Sequence, residues 1–172
     1  LPSLKRIGTT AAWACSTKAL DTEDKIMAEL GFWNVAQKHP DKLALVTPDE
    51  QEFTFGELLS TSNKLVHGMR AMGLKRGDTI ATVLDNEAAV LEIFLAAAQA
   101  GIYVVPINYH LVAPEIAYIA EDSEAKIFIC NENFADTCHE ALESFNFPME
   151  ARFSTGNDDR FACLEKLKEG QP

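Results

Sequence analysis

The chain has 172 residues, of which 26 are acidic and 15 are basic, so its formal net charge is −11. Apolar residues make up 47% of it, and this length and composition suit one compact domain with a real core. The negative charge argues against nucleic acid and anionic membrane surfaces as partners. The longest apolar run, 88–98, is interrupted by Glu92 and is shorter than the roughly 20 residues of a membrane-spanning helix. No transmembrane segment is therefore predicted.

The first 20 residues differ from the rest, because they contain three basic residues, no acid and several Ser and Thr. We interpret residues 1–26 as an arm or leader and expect it to be disordered, and we assign 27–172 to the folded domain. The four cysteines form no CxxC pair, and the chain is long enough to fold without disulfides. This pattern favours reduced thiols and a cytoplasmic location.

A hairpin and a long helix are predicted at the start of the domain. Strands are expected at 43–46 and 52–54, on either side of the turn-rich segment TPDEQ. In FTFGEL, Thr54 and Glu57 occupy the positions of a capping box, in which each side chain accepts a hydrogen bond from the other residue's amide. Apolar residues continue at helical spacing to Met72, and Gly73 can supply the left-handed residue that ends the helix.

Apolar strands and helices alternate from Thr79 onward. Strands are expected at 79–84, 103–107, 127–130 and within 150–154. Helices are expected at 87–100 with Asn86 as its cap, from about Pro114 to Asp122, at 132–145, and at 161–168. Because the strands are apolar throughout, both faces of their sheet should be covered. The fold class predicted is therefore α/β, with a mostly parallel sheet and helices on both faces.

Ligands of such folds bind at the carboxyl ends of the parallel strands. Asp85 and Asn86 follow one predicted strand, and Asn108, Tyr109 and His110 follow the next. We predict that Asn108, Tyr109 and His110 line a cleft at this edge of the sheet. Asn86 is interpreted as a helix cap instead, because Asn is a preferred capping residue.

Motifs that would identify catalytic or metal sites are absent from the sequence. Neither GxxxxGK[ST] nor GxGxxG occurs, and the STG at 154–156 is interpreted as a surface turn. Cys138 and His139 are adjacent on a predicted helix, so their side chains should point apart and form no catalytic dyad. The four histidines have no metal-ligand spacing. We assign no catalytic residue and no metal ligand.

Three segments in order resemble sequence boxes of one enzyme family. FTFGEL is similar to a T-Y-x-E-L box, GLKRGDTIATVLDN to a G-x-x-x-G-D-x-V segment, and QAGIYVVPIN to a K-A-G-x-x-x-V-P-[IL]-[ND] box. These boxes belong to the amino-terminal region of the adenylate-forming (AMP-binding) synthetases, which include acyl-CoA synthetases, peptide-synthetase adenylation domains and luciferases. NYHLVAPEIAYI is most similar to the fatty acyl-CoA ligase branch. The resemblance implies the amino-terminal subdomain of the adenylate-forming fold.

The resemblance also implies a two-step reaction for the complete enzyme. A fatty acid or other carboxylate reacts with ATP and Mg²⁺ to give an acyl-adenylate and pyrophosphate, and coenzyme A then displaces AMP to form a thioester. The family's phosphate loop ending in P-K-G, and its carboxyl-terminal domain with an adenylating lysine, do not occur in these residues. We therefore carry over no catalytic or cofactor-binding residue, and we predict that this chain alone is inactive and binds no cofactor.

Two alternatives remain open at this point. The chain could be a stand-alone binding or assembly module that pairs with itself or with a separate carboxyl-terminal half, because an incomplete sheet leaves apolar surface bare. It could also be a fragment of an amino-acid adenylation domain. Those domains adjoin carrier domains, so downstream sequence would distinguish them.

Overall fold

A two-stranded hairpin and a five-stranded sheet organise residues 31–171, the range that the computed structural model describes. The arm predicted at 1–26 lies outside these residues. The strands are β1 (Leu43–Val46), β2 (Glu52–Thr54), β3 (Thr79–Val83), β4 (Tyr103–Pro106), β5 (Ala125–Cys130), β6 (Arg152–Ser154) and β7 (Ala162–Cys163). The α-helices are α1 (Phe32–Lys38), α2 (Phe55–Ala71), α3 (Ala88–Ala100), α4 (Ala113–Asp122) and α5 (Ala135–Ser144). Short 3-10 turns span Glu132–Phe134, Met149–Ala151 and Leu164–Leu167.

The predicted hairpin and the start of the long helix are confirmed. β1 and β2 pair antiparallel, and α2 follows β2 directly. The Glu57 amide donates to the Thr54 hydroxyl at 3.2 Å, and the Thr54 amide donates to the Glu57 carboxylate at 2.8 Å. These bonds satisfy two amides that the first turn of a helix would otherwise leave unpaired. Gly73 follows the helix with a φ of 91°, which is the left-handed conformation expected of it.

The five-stranded sheet is parallel throughout and has the order β4-β3-β5-β6-β7. Its two faces are both buried, because successive residues of β5 alternate between two apolar cores. Ile127 and Ile129 pack with α2 and α3 on one face, whereas Phe128 and Cys130 pack with α4 and α5 on the other. The predicted α/β class with helices on both faces is confirmed.

Strand β4 forms one edge of the sheet, which explains why it tolerates a proline. The Tyr103 amide donates to the Asp78 carbonyl at 2.8 Å, and the Ile107 amide donates to the Thr82 carbonyl at 2.7 Å. Amides alternate in direction along a strand, so the nitrogen of Pro106 faces away from β3. Proline removes no ladder hydrogen bond on that side, and it leaves the open edge with one donor fewer.

Two of the predicted elements are wrong in part. Asn86 does not cap α3, because Glu87 occupies the capping position without a side-chain hydrogen bond and the helix begins at Ala88. The helix predicted at 161–168 is replaced by β7 and a 3-10 turn. Pairing of Ala162 with Phe153 in the neighbouring strand overrides the local helical pattern there.

Two further corrections concern the region around β6. The helix predicted at 132–145 begins as a 3-10 turn, which Asn131 caps by accepting a hydrogen bond from the Asn133 amide at 2.9 Å. Ser154, interpreted as part of a surface turn, is the last residue of β6 and is fully buried. Its strand lies between β5 and β7, which is why Ser154 is buried, whereas Thr155 and Gly156 are half-buried in the bend that follows the strand.

Gly68 in the middle of α2 marks a close approach between two segments. A Cβ atom at this position would lie 2.0 Å from the carbonyl oxygen of Leu167. Any side chain would push the 3-10 turn at 164–167 away from the helix. Because Gly68 has no side chain, that turn, and Lys168 just after it, can pack closely against the face formed by α2 and α3.

Candidate functional site at the carboxyl edge of the sheet

The chain leaves two neighbouring strands in opposite directions at the carboxyl edge of the sheet. After β3 it passes into α3 on one face, and after β5 it passes into α5 on the other face. Such a switch in direction opens a crevice between the two strand ends, and open α/β folds bind ligands there. The residues that follow β3 and β5 are therefore the first candidates for a functional site.

A hydrogen-bonded cluster spans this switch point. The Glu87 carboxylate, after β3, accepts a hydrogen bond from the Asn131 side-chain amide at 3.0 Å and from the Thr155 hydroxyl at 3.3 Å. Asn131 follows β5 and Thr155 follows β6, so the cluster connects three consecutive strand ends. Main-chain bonds hold its members in place, from the Asn131 amide to the Val83 carbonyl and from the Thr155 amide to the Cys130 carbonyl, both at 3.0 Å.

An open cleft of about 640 Å³ lies beside this cluster, and we call it the polar crevice. Its residues come from the β1–β2 hairpin, the start of α3, the bend after β6, and the last 3-10 turn with the residue after it. They are Thr47, Pro48, Asp49, Gln51, Phe53, Asn86, Glu87, Ala88, Ala89, Glu92, Thr155, Leu164, Glu165 and Lys168.

A buried ion pair forms part of the crevice wall. The Lys168 ammonium donates to the Glu92 carboxylate at 2.9 Å and to the Glu165 carboxylate at 2.7 Å. The side chains of Glu92 and Lys168 are only 9% and 12% exposed. Burial opposes the charge of Lys168, but hydrogen bonds to Glu165 and Glu92 outweigh it, so its pKa is raised. The lysine therefore stays charged, and its ammonium group is already paired with two carboxylates.

The charges of the polar crevice do not fit a nucleotide phosphate. Its carboxylates are Asp49, Glu87, Glu92 and Glu165, and its single lysine is paired. Burial raises the pKa of Glu87, although hydrogen bonds from Asn131 and Thr155 act in the opposite direction. Among residues 31–171 there is also no group of three or more His, Cys, Asp or Glu side chains placed to hold a metal ion. The crevice is an internally satisfied polar cluster rather than a cradle for a polyanion.

A second open cleft, of about 780 Å³, adjoins the first and is mainly apolar. We call it the apolar cleft, and it shares Thr47, Pro48, Asn86 and Glu87 with the polar crevice. Its residues come from the hairpin, from α3 and from the ends of β3 and β4. They are Leu45, Val46, Thr47, Pro48, Thr82, Leu84, Asp85, Asn86, Glu87, Val90, Leu91, Ile93, Phe94, Val104 and Pro106.

The structure places the predicted cleft residues after the edge strand β4, one strand away from the switch point. Asn108 accepts a hydrogen bond from the His110 amide at 3.0 Å, which closes a short turn. The Tyr109 ring stacks on Phe134, with 4.9 Å between ring centroids and 15° between planes. None of the three lines either cleft. Their contact with a ligand stays a prediction.

Cys138 and His139 are not brought together as a dyad. Cys138 is fully buried and its thiol contacts the thiol of Cys130. The hydrogen bond to Cys138 and burial both raise the pKa of Cys130, so the Cys130 thiol is not set up as a thiolate nucleophile. These cysteines belong to the core between the sheet and α5.

Sequence reasoning missed residues that build the hydrogen-bonded cluster and the polar crevice beside it. Asn131 follows an apolar strand, so the rule that selected Asn108 could also have selected it. Thr155 lies in the STG segment, interpreted from the sequence as a surface turn, and Lys168 lies at the end of a segment predicted to be a helix. Glu92 was visible only as an interruption of an apolar run, and its partner lies 76 residues away.

Comparison with known proteins identifies the family. A family model described as AMP-binding enzyme matches residues 32–166, which include the whole sheet, the apolar cleft and every residue of the polar crevice except Lys168. The chain belongs to the AMP-binding enzyme family. No helix within residues 31–171 is long and apolar enough to span a membrane.

Relatives and solved structures agree with this assignment. A feruloyl-CoA synthase of an Amycolatopsis species is 36% identical over 110 residues, which cover 63% of this chain and 22% of that protein. A long-chain-fatty-acid–CoA ligase of Mycobacterium tuberculosis is 31% identical over 101 residues, or 56% of this chain and 20% of that protein. The crystal structure of a Rhodopseudomonas palustris protein assigned as a long-chain-fatty-acid CoA ligase superposes with a TM-score of 0.75 at 25% identity, covering 82% of this chain and 36% of that one. The chain thus spans about a fifth of the length of the curated relatives that it matches.

Proposed function

We propose that these residues form the amino-terminal α/β subdomain of an ATP-dependent acyl-CoA synthetase. The observation that carries the proposal is the family match over 32–166, together with relatives that form CoA thioesters and extend well beyond the matched segment. The complete enzyme would activate a fatty acid or another carboxylate with ATP and Mg²⁺ and transfer the acyl group to coenzyme A. A cytoplasmic location is part of this proposal.

In this proposal the subdomain supplies scaffold and surface, and the remainder of the enzyme supplies the phosphate-binding and adenylating groups. The charge of the polar crevice supports the division, since its carboxylates would repel a triphosphate and its lysine is paired. Asn108, Tyr109 and His110 are proposed to line a cleft of the complete enzyme. They follow β4 at the carboxyl edge of the sheet, where ligands of α/β folds bind. Residues 1–26 are proposed to be an arm outside the subdomain.

Pyrophosphate exchange tests whether the chain acts alone. The purified 172-residue chain is incubated with ATP, Mg²⁺, labelled pyrophosphate and either a long-chain fatty acid or ferulate. We expect no label in ATP above a blank without protein, because the family's phosphate loop ending in P-K-G does not occur in the sequence of the chain. The fatty-acid–CoA ligase of Mycobacterium tuberculosis serves as the positive control. Sustained exchange by the chain alone would contradict the proposal.

A further inference from the structure

Two cysteine thiols contact each other in the core between the sheet and α5. Cys130 is the last residue of β5, Cys138 lies in α5, and both residues are fully buried. Cys130 lies on the face of the sheet that α5 covers, and Cys138 lies on the side of α5 that faces the same core. A strand and the helix that follows it therefore bring together two thiols that are eight positions apart in the sequence.

Packing alone does not require a pair of thiols at this place. A buried free cysteine behaves as a small apolar side chain, and its reactivity distinguishes it from other small residues. Two thiols in contact can be oxidised to a disulfide, which is a reversible reaction. Disulfides of cytoplasmic proteins are usually transient and redox-sensing, and a cytoplasmic location is the one proposed for this protein.

The segment between the two cysteines carries part of the hydrogen-bonded cluster at the switch point. Asn131 directly follows Cys130, and its side-chain amide donates to the Glu87 carboxylate at 3.0 Å. Its side-chain oxygen accepts from the Asn133 amide at 2.9 Å and so caps the 3-10 turn Glu132–Phe134 that leads into α5. A covalent bond between the two cysteines would close a short loop around this turn. The start of α5 would then be fixed relative to the sheet.

The start of α5 also controls access to the pair. The hydrogen bond to Cys138 and burial raise the pKa of Cys130, so its reactive thiolate is scarce while the helix is closed. Phe134 occupies the capping position of α5 without a side-chain hydrogen bond. A helix end without such a cap leaves amides unpaired, and helix ends open more readily than a packed core. An oxidant is therefore expected to reach the thiols through local opening of this end.

We propose that Cys130 and Cys138 form a redox switch, in which oxidation joins them by a disulfide that fixes the start of α5 against the sheet. The oxidant is a hydroperoxide, such as hydrogen peroxide. The thiolate of one cysteine attacks a peroxide oxygen and the O–O bond breaks, which gives a sulfenic acid and one water. The sulfur of the other cysteine then displaces hydroxide from the sulfenic acid. The S–S bond forms and a second water leaves with the last thiol proton.

The two electrons lost by the thiols are therefore gained by the peroxide, and the products are one disulfide and two waters. A dithiol reductant reverses the reaction by thiol–disulfide exchange.

The test uses the 172-residue chain with Cys15→Ser and Cys163→Ser, so that the pair supplies the remaining thiols of the sequence. The folded variant is treated with hydrogen peroxide without denaturant, and unreacted thiols are then blocked. Protease cleavage after Glu132, between the two cysteines, should leave the two fragments joined until a reductant is added. Cys138→Ala in the same background is the matched control, and it should give no link within one chain.

We expect oxidation to raise the thermal midpoint by roughly 5 °C or more, because the disulfide restricts the unfolded chain. Amide hydrogen exchange of residues 131–137 should slow by about tenfold or more, since the disulfide opposes opening of the start of α5. Reduction should restore both values, and peroxide should change neither in the Cys138→Ala variant.

Three results would overturn the proposal. Free thiols that persist in the folded chain, with a disulfide that forms only in urea, would show that the fold does not place the two sulfurs for bonding. Oxidation to sulfinic acid without a link would show the same. A disulfide that lowers the midpoint, or leaves exchange of residues 131–137 unchanged, would show that it does not fix the start of α5.

Discussion

The polar crevice and the apolar cleft are neighbours at the same edge of the sheet. The polar side chains of the first are hydrogen-bonded within the chain, whereas large apolar side chains of the second are exposed to solvent. In the polar crevice, Glu87 and Lys168 find partners within the chain, on segments 44 or more residues away. In the apolar cleft, by contrast, the Phe94 side chain is 59% exposed to solvent. A polar group left unpaired inside a fold is costly, whereas an exposed apolar group costs little until a partner covers it. The contacts of the polar crevice therefore contribute to the stability of this subdomain, whereas the exposed side chains of the apolar cleft do not.

Removing the buried lysine should have the largest effect on the polar side. Lys168→Met leaves the buried Glu92 carboxylate without its cation, and we expect the free energy of unfolding to fall by about 3–5 kcal/mol. Urea denaturation of the isolated chain measures it. The double variant Glu92→Met with Lys168→Met should recover most of the loss, because it removes both charges.

Lys166→Met is the matched control, since Lys166 is an exposed lysine in the 3-10 turn that directly precedes Lys168. It should change stability by no more than about 0.5 kcal/mol. If Lys168→Met and Lys166→Met had the same effect, the ion pair would not be what holds the crevice wall together.

Gly68→Ala tests whether close packing positions the lysine. In an exposed helix interior this change would add about 1 kcal/mol of stability. Here the new Cβ meets the Leu167 carbonyl, so we expect a loss of about 1–3 kcal/mol instead. Chemical denaturation decides the sign, with Ser60→Ala at an exposed position of α2 as the control. A gain in stability for Gly68→Ala would mean that the two segments do not touch in solution.

The smallest expected effect is a difference in pH dependence between two glutamates. The pKa of Glu87 is raised by burial, so its folded state binds the proton more tightly than the unfolded chain. Its contribution to stability is then present below the ordinary pKa and is lost as pH rises through the raised value. Glu87→Gln keeps an oxygen acceptor for Asn131 but cannot ionise. It should therefore not lose stability as pH rises, and the variant should gain stability relative to wild type as pH rises above 4.5.

Glu143→Gln is the counterpart with the opposite sign. The hydrogen bond from Arg152, together with its positive charge, lowers the pKa of Glu143, so its contribution is present above the ordinary pKa and is lost as pH falls. Stability curves of wild type and both variants from pH 3 to 8 check the pair. Parallel curves for Glu87→Gln and wild type would show that Glu87 is not perturbed by its surroundings.

Local chemistry made the start of the fold predictable. The capping box at Thr54 and Glu57 requires only residues three apart, and Gly73 and Gly101 end helices because they adopt a left-handed conformation at little cost. The strands of the sheet were found because burial on both faces makes them apolar throughout. Family boxes in the same segments then indicated the family that the comparison with known proteins established.

These local signals could not predict where each strand, and the residues that follow it, would lie in the sheet. Asn86, Asn108 and Asn131 each come shortly after a strand. The residues next to them in the sequence do not indicate which of the three lies at the switch point. The strand order places Asn131 there and leaves Asn108 beside the edge strand. Asn86 comes one residue before the capping position of α3, which Glu87 occupies. Strand order depends on how helices pack over the sheet, which is a long-range property.

The sequence by itself determined the alternation of strands and helices, the caps of α2, the class of the fold and the family. Each of these depends on periodicity, on residues within one turn of each other, or on short motifs in order. The tertiary structure alone decided that Glu92 meets Lys168, that Gly68 meets Leu167, and that Phe94 faces outward. Those contacts join residues 76 and 99 positions apart, or depend on which side of a doubly apolar helix the core takes. Long-range packing decides these contacts. On α3, for example, water is excluded from the side that faces the core and not from the side that carries Phe94.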